Sequence, residues 1–127
     1  MNDNADLKVR TKTFALRVIK VVDALPKTRT ANVIGNQLLR SGTSVGANYR
    51  AACRARSTAD FIAKMGIVEE EADESVYWME LLIDSKLMSP PQLSDLIKEA
   101  NELVAITVIR IPALLRYGGY SPNSAIV

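Results

Sequence analysis

The fold is decided by one stretch of small, apolar and basic residues, Ile34-Gly35-Asn36-Gln37-Leu38-Leu39-Arg40-Ser41-Gly42-Thr43-Ser44-Val45-Gly46-Ala47-Asn48-Tyr49-Arg50-Ala51-Ala52-Cys53-Arg54-Ala55-Arg56. Its apolar residues recur at helical spacing, which predicts a helix. The interior glycines together cost roughly 3 kcal/mol of helix propensity, so close contact with neighbouring helices must offset that cost. The stretch contains four arginines and no acidic residue, and it is therefore also the most basic segment of the chain.

Length and composition indicate one helical domain. A chain of 127 residues is long enough to bury a core as a single domain spanning residues 1–127. Aromatic residues make up only 6% of the chain and few glycines lie outside the quoted stretch, which favours helices over a sheet. The apolar runs are too short to cross a bilayer, and the polar start of the chain lacks the features of a secretory signal. We therefore expect a cytoplasmic protein with no contact to a membrane.

Apolar periodicity predicts four helices, at about 7–25, 30–56, 58–86 and 91–116, between two loose tails. Pro26 ends the first helix, because proline disfavours the helical conformation of the residue before it. Pro112 should kink the fourth helix. Residues suited to cap the helix starts are Thr28 or Thr30, Ser57, and Ser89 with Gln92 in a capping box.

The short connections predict an all-α, antiparallel up-down-up-down four-helix bundle. Besides its core stripe, helix three carries a second, broken strip of apolar residues, and helix four is apolar on nearly all sides from Leu103 to Leu115. A monomer would leave this apolar surface exposed, and large exposed apolar patches mark interfaces. We therefore expect a homo-oligomer. The interface residues that we predict are Ile67, Trp78, Leu81, Leu82 and Ile109.

Charge is distributed unevenly along the chain. Residues 1–64 hold 12 of the 16 lysines and arginines but 4 of the 14 acidic residues, so this part carries +8 and the remainder −6. Such a split indicates either a face that binds a polyanion or attraction between neighbouring subunits. Only one aromatic residue, Tyr49, lies near the basic stripe of helix two, so phosphate contact without base stacking is the more consistent mode. The nucleic-acid-binding residues that we predict are Arg40, Arg50 and Arg54, with Arg17 and Lys20 on helix one.

Few residues could support catalysis. The chain has no histidine, which excludes Ser-His-Asp and Cys-His sites and removes the commonest metal ligand. Glu71 and Glu74, with Glu99 and Glu102 repeating their spacing, are similar to the carboxylates that hold Mg²⁺ in all-helical nucleotide pyrophosphohydrolases. On a helical wheel, however, Glu71 and Glu74 lie about 100° or more from the core stripe, which suits solvent or ion pairs between subunits better. We predict no catalytic residue, no metal site and no cofactor.

Several segments carry a resemblance to a known family. They are Leu25-Pro26-Lys27-Thr28, Leu38-Leu39-Arg40-Ser41-Gly42-Thr43-Ser44-Val45-Gly46-Ala47-Asn48-Tyr49, Ala52-Cys53-Arg54-Ala55-Arg56-Ser57, Glu71-Ala72-Asp73-Glu74-Ser75, Tyr77-Trp78 and Leu81-Leu82. Together they closely resemble the four-helix-bundle proteins encoded in intervening sequences of bacterial 23S ribosomal RNA genes, also labelled S23 ribosomal proteins. The resemblance covers about residues 14–117, nearly the whole chain.

The resemblance implies a small antiparallel bundle without catalytic residues. Relatives that serve as accessory factors of diversity-generating retroelements form barrel-like pentamers that bind nucleic acid and a reverse transcriptase. For this chain the resemblance therefore implies a homopentamer, RNA or DNA as a partner, and a reverse transcriptase as a further partner. The binding surface that it implies consists of basic residues of helices one and two, here Lys20, Arg40, Arg50 and Arg54.

These observations predict a non-enzymatic, oligomeric protein that binds RNA or DNA through phosphate contacts, independently of base sequence. One alternative is an assembly scaffold whose partner is a protein and whose basic stripe serves only in ion pairs between subunits. The other alternative is a Mg²⁺-dependent nucleotide pyrophosphohydrolase, which is supported only by the spacing of the glutamates.

Overall fold

Four helices make up the computed structural model of the protein, which describes residues 3–111. They are α1 (Asp3–Asp23), α2 (Arg29–Cys53), α3 (Thr58–Asp84) and α4 (Pro90–Arg110). The described part contains no strand, so the all-α prediction is confirmed there, and the helices form a four-helix bundle. The predicted kink at Pro112, the predicted last turns of helix four and the predicted tail after them lie outside the described residues.

Local residues determine where the helices begin. The Thr28 hydroxyl accepts a hydrogen bond from the backbone N–H of Ala31 (3.2 Å), so Thr28 rather than Thr30 caps α2. The Ser57 hydroxyl accepts from the N–H of Asp60 in the same way (3.0 Å). At α4 the backbone N–H of Ser89 donates to the side-chain oxygen of Gln92 (2.8 Å), as a capping box requires. Helix α1 begins at Asp3 and α2 ends at Cys53, each a few residues earlier in the chain than predicted.

The core is formed where each helix contacts its neighbours in the bundle. Helix α2 contacts α1 and α3, α3 contacts α4, and α1 contacts α4 much less extensively than it contacts α2. The hydroxyl oxygens of Ser41 and Ser75 lie 2.9 Å apart and join α2 to α3 inside this core. Large side chains with no more than trace exposure fill the rest: Phe14, Val18, Leu38, Val45, Met65, Val68, Met79, Leu82, Leu93 and Leu103.

The glycines of α2 lie where α1 comes closest. A methyl group added at Gly42 would be 2.8 Å from both methyl carbons of Val18. One added at Gly46 would be 3.2 Å from the Thr11 hydroxyl oxygen. Close contact between the two helices therefore offsets the low helix propensity of this stretch. As the chain advances along α2 from Gly42 to Gly46, the contacting residue of α1 moves back from Val18 to Thr11. The residues of α2 therefore meet those of α1 in reverse sequence order.

Helix α3 ends in a left-handed residue that is not glycine. Lys86 has φ of 64°, a conformation that costs most L-residues roughly 1–2 kcal/mol. The N–H of Leu87 donates to the carbonyl of Leu82 (2.9 Å), and the N–H of Lys86 donates to that of Ile83 (2.9 Å). These two bonds define a Schellman motif, in which the left-handed position usually holds glycine.

We predict that Gly42→Ala destabilises the protein although alanine is the better helix former. The new methyl group would overlap a buried β-branched side chain whose methyl carbons cannot both rotate away, and such overpacking costs about 1–3 kcal/mol. Gly66→Ala is the matched control in α3, because no atom lies within 4 Å of the added methyl group. We expect Gly66→Ala to stabilise the protein by about 1 kcal/mol. Urea denaturation of both variants measures the difference, and equal stabilisation by both substitutions would contradict the close approach at Gly42.

We predict that Lys86→Gly stabilises the protein by about 1 kcal/mol, because glycine adopts the left-handed conformation without steric cost. Lys86→Ala is the control, since it removes the same charged side chain and keeps the Cβ atom. The denaturation midpoints of both variants are to be compared with that of the parent protein. A midpoint for Lys86→Gly at or below that of Lys86→Ala would be inconsistent with the strain at this position.

Candidate nucleic-acid interface

A groove of about 600 Å³ runs between α1 and α2 on the surface of the bundle. Small residues line much of it, among them Ala15 of α1 and Gly46 and Ala47 of α2. They keep the groove open, because no long side chain fills the space above the contact between Gly46 and Thr11. The groove is therefore a direct consequence of the close approach of the two helices.

Four cationic residues line the groove: Lys8, Lys12, Arg50 and Arg54. We refer to this groove, with these four residues, as the basic groove. Lys8 and Lys12 are four positions apart on α1, which places them on one helix face. Arg50 lies in the last turn of α2, and Arg54 is the residue that caps the end of that helix. Because α1 and α2 meet in reverse order, the pair on one helix lies across from the pair on the other. All four are exposed, and within residues 3–111 none of them makes an ion pair or a side-chain hydrogen bond.

The structure brings together only some of the residues that we predicted as a binding surface. Arg50 and Arg54 line the basic groove. Arg40 faces α3 instead, where its guanidinium donates to Glu71 (3.0 Å) and to Glu74.

Arg17 and Lys20 also lie apart from the groove. Arg17 is seven residues from Arg10 and therefore shares its helix face, the face that meets α4. There Arg10 binds Glu99 (2.7 Å) and Glu102 (3.1 Å). Lys20 is exposed and does not line the groove.

Lys8 and Lys12 are the site residues that sequence reasoning missed. Their spacing of four residues is visible in the sequence, but lysines on an exposed helix face are common. What distinguishes them is their position beside Thr11, the residue that meets Gly46. A helical wheel of α1 could have identified them only if the position of Thr11 opposite Gly46 had been known.

The ion pairs of Arg40 determine the electrostatics of the surface between α2 and α3. The indole N–H of Trp78 donates to the Glu74 carboxylate (2.8 Å). This hydrogen bond is the largest influence on the pKa of Glu74 and lowers it. Burial opposes it, and the hydrogen bond and the charge of Arg40, each a smaller effect than burial, lower the pKa further. The hydrogen bonds to Glu74 and Glu71 raise the pKa of Arg40 above its ordinary value. On the opposite side, the hydrogen bond to Glu99 raises the pKa of Arg10.

The glutamates that resembled a magnesium site have guanidinium partners. Arg40 binds Glu71 and Glu74, and Arg10 binds Glu99 and Glu102. The two glutamate pairs lie on different sides of the bundle and do not converge on one point. Among residues 3–111 no three side chains of the metal-binding types lie close enough together to hold an ion. The arrangement neutralises the carboxylates and does not assemble a cation site.

The predicted interface residues differ in their exposure. Ile109 is 79% exposed and Ile67 is 37% exposed, whereas Trp78 and Leu81 are half-buried. The assignment of Leu82 to an interface is wrong, because its side chain lies in the core with no exposed surface. Leu82 is seven residues from the buried Ser75 and therefore lies on the same helix face. Large exposed apolar side chains that the prediction did not include lie on α1 at Val9 and Leu16.

In the part of the chain that the structure describes, none of the helices has an apolar stretch of the length needed to span a membrane. The exposed apolar residues on α1 are also separated by polar and charged ones, since Lys12 and Thr13 lie between Val9 and Leu16. Of these two side chains, Val9 lines the basic groove.

We predict that acid destabilises the protein in part through Glu74. Because its pKa is lowered in the folded state, the carboxylate contributes stability that is fully present above its unfolded-state pKa of about 4.3. That contribution is lost as the pH falls through the lower folded-state pKa. Glu74→Gln should therefore reduce stability at neutral pH and lose less on acidification, as measured by urea denaturation between neutral pH and about pH 3. Glu70→Gln is the control, and identical acid-side losses for Glu74→Gln and the parent protein would contradict the prediction.

Comparison with known proteins identifies the family. A family model described as 23S rRNA-intervening sequence protein matches residues 4–108. The chain is also similar to a protein with unknown function from the S23 ribosomal protein family of Bacteroides thetaiotaomicron VPI-5482, whose crystal structure superposes with a TM-score of 0.78. The two sequences are 36% identical, and the match covers 84% of this chain and 98% of the other. No curated protein matches this chain. The chain belongs to the 23S rRNA-intervening sequence protein family.

Proposed function

We propose that this protein is a non-enzymatic, homo-oligomeric protein that binds RNA or DNA through the basic groove, without reading base sequence. One observation carries the proposal: Lys8, Lys12, Arg50 and Arg54 line one groove, and within residues 3–111 none of them has a carboxylate partner. Concentrated positive charge without internal compensation attracts polyanions, and contacts to phosphates supply affinity that does not depend on sequence.

The shape of the groove suits the nucleic-acid backbone better than the bases. Lys8 and Lys12 are separated by about 6 Å along α1, so this pair can contact successive phosphates, and Arg50 and Arg54 line the same groove from the end of α2. Ala15 and Gly46 leave room for a chain to approach both helices. No aromatic side chain in the described part of the protein lines the groove, which leaves no surface for base stacking.

The other predicted cations have smaller roles in this proposal. Arg40 must release Glu71 or Glu74 before it can bind phosphate, and its ion pairs therefore compete with the ligand. Arg17 and Lys20 lie outside the groove, where they can contribute long-range attraction but no contact within it.

We also propose an antiparallel up-down-up-down bundle that assembles into a homo-oligomer. The reverse order in which α2 meets α1 supports the antiparallel arrangement. The exposure of Ile67 and Ile109, with half-buried Trp78 and Leu81 on α3, supports a subunit interface. The family resemblance favours a pentamer and adds a reverse transcriptase as a further partner.

A protein-binding scaffold is the second candidate function. Val9 and Leu16 are more than half exposed on α1, and Val9 also lines the basic groove. Exposed apolar side chains are not complementary to a charged phosphodiester backbone, whereas they pack well against the apolar part of a protein surface. These two side chains therefore favour a protein partner more than a nucleic acid.

We predict that Arg50→Glu with Arg54→Glu weakens binding to unrelated RNA and DNA oligonucleotides by at least about tenfold at low salt. For a single strand, the loss of two phosphate contacts should also flatten the plot of log K against log salt by about 1.4. Fluorescence anisotropy with two oligonucleotides of different sequence measures both quantities.

Arg17→Glu with Lys20→Glu is the matched comparison, because it makes the same change in net charge outside the groove. We expect its effect to be several-fold smaller. Equal losses of oligonucleotide affinity in the two double variants would show that the groove is not the binding surface. If the parent protein shows no binding at low salt, nucleic-acid binding is refuted and the scaffold function is favoured.

A further inference from the structure

The outer face of α3 carries a row of acidic residues with Tyr77 among them. We call Glu70, Asp73, Tyr77, Glu80 and Asp84 the acidic strip. Their spacing of three and four residues keeps them on one helix face, and all of them are exposed. Within residues 3–111 none of the four carboxylates makes an ion pair or a side-chain hydrogen bond. The strip is therefore a second charged surface without a partner, opposite in sign to the basic groove.

The groove and the strip match in apolar side chains as well as in charge. Val9 lines the groove and is 64% exposed, with Leu16 further along the same helix. The strip contains Tyr77, which is 53% exposed, and Ile67 lies beside it. Each surface therefore combines charged residues with exposed apolar ones, as the rim and centre of protein interfaces do.

The central part of the acidic strip, from Asp73 to Glu80, also matches the groove in length. Asp73 and Glu80 are seven residues apart, which corresponds to about 10.5 Å along α3. The part of α1 that lines the groove extends over the same number of residues, from Lys8 to Ala15. Gly46 and Ala47 on α2 add little bulk, so a helix can approach the groove closely.

We propose that the acidic strip of one copy docks in the basic groove of a second copy, and that it competes there with nucleic acid. The strip cannot reach the groove of its own chain, because it lies on the side of α3 that faces away from the core. The contact is therefore between two different surfaces, and such a contact repeats from copy to copy until it closes a ring or extends a filament. The competition rests on the proposed function, whereas the docking does not.

Self-association without nucleic acid tests the docking by itself. Sedimentation velocity of the parent protein at low salt should show an assembly whose mass falls as salt is added, because salt screens contacts between exposed charges but not the apolar subunit contacts proposed above. Arg50→Glu with Arg54→Glu, and separately Asp73→Lys with Glu80→Lys, should each weaken self-association by at least about tenfold. Both changes are at exposed positions, and circular dichroism establishes that each variant is folded. An assembly of unchanged mass in both folded variants would overturn the docking.

A mixture of the two charge-reversed variants gives a sharper result. The reversed groove of one variant is complementary to the reversed strip of the other, and the unchanged surfaces remain complementary as well. Mixing should therefore restore assembly, with the two variants in equal amounts. If the mixture stays as dissociated as its components, the strip and the groove are not in contact.

Nucleic-acid affinity tests the competition. Asp73→Asn with Glu80→Gln removes two charges from the strip and should tighten oligonucleotide binding by at least about threefold at protein concentrations where the parent protein assembles. Asp23→Asn with Asp95→Asn is the matched control, since it makes the same change in net charge at exposed positions outside the strip. Equal tightening in both variants would refute competition and leave only a general charge effect. If the salt-sensitive assembly forms but the parent protein binds no nucleic acid, the proposed function fails while the docking stands.

Discussion

The contact between Gly42 and Val18 is the constraint on which the rest of the surface depends. At this point α2 lies so close to α1 that there is no room for a methyl group. The same closeness continues at Gly46, beside Thr11. Larger residues at either glycine would move the helices apart, and the cations that line the two sides of the basic groove would separate with them. The steric fit of a few small residues therefore controls how densely positive charge is concentrated.

The bundle neutralises some of its charges internally and leaves others without partners. Arg10 joins α1 to α4 through Glu99 and Glu102, and Arg40 joins α2 to α3 through Glu71 and Glu74. Both arginines lie beside seams where a carboxylate is within reach. The cations of the basic groove lie on the seam between α1 and α2, to which α3 contributes no acidic side chain. The uneven charge of the sequence thus becomes two separate surfaces of opposite sign, neither of which is neutralised by an ion pair within residues 3–111.

Features that depend on neighbouring residues in the chain could be predicted from the sequence. Thr28 and Ser57 cap their helices as expected, because capping involves only the first turn. The burial of Leu82 was missed because α3 packs against both α2 and α4, so its buried arc is wider than a single stripe. The left-handed conformation of Lys86 was also missed. Glycine is the residue that usually adopts this conformation at the end of a helix, so a lysine at this position does not predict it.

The candidate site was less predictable, because its residues depend on how far one helix is shifted along another. Arg40 and Arg50 lie on one basic stripe of α2 in the sequence, yet one meets α3 and the other faces α1. Lys8 and Lys12 join the site only through the pairing of Thr11 with Gly46. Periodicity within a helix determines which residues share a face, but it does not determine what that face meets.

Three consecutive residues of α2 show how one short run can determine these pairings. Ser41 meets Ser75 of α3 in the core, Gly42 meets Val18 of α1, and Thr43 lines the basic groove. Because a helix turns about 100° at each residue, neighbours in sequence face different helices, and the run fixes the position of α2 against both at once. These three residues therefore help to specify the geometry of the groove. Its charge is supplied by side chains outside these three residues, namely Lys8, Lys12, Arg50 and Arg54.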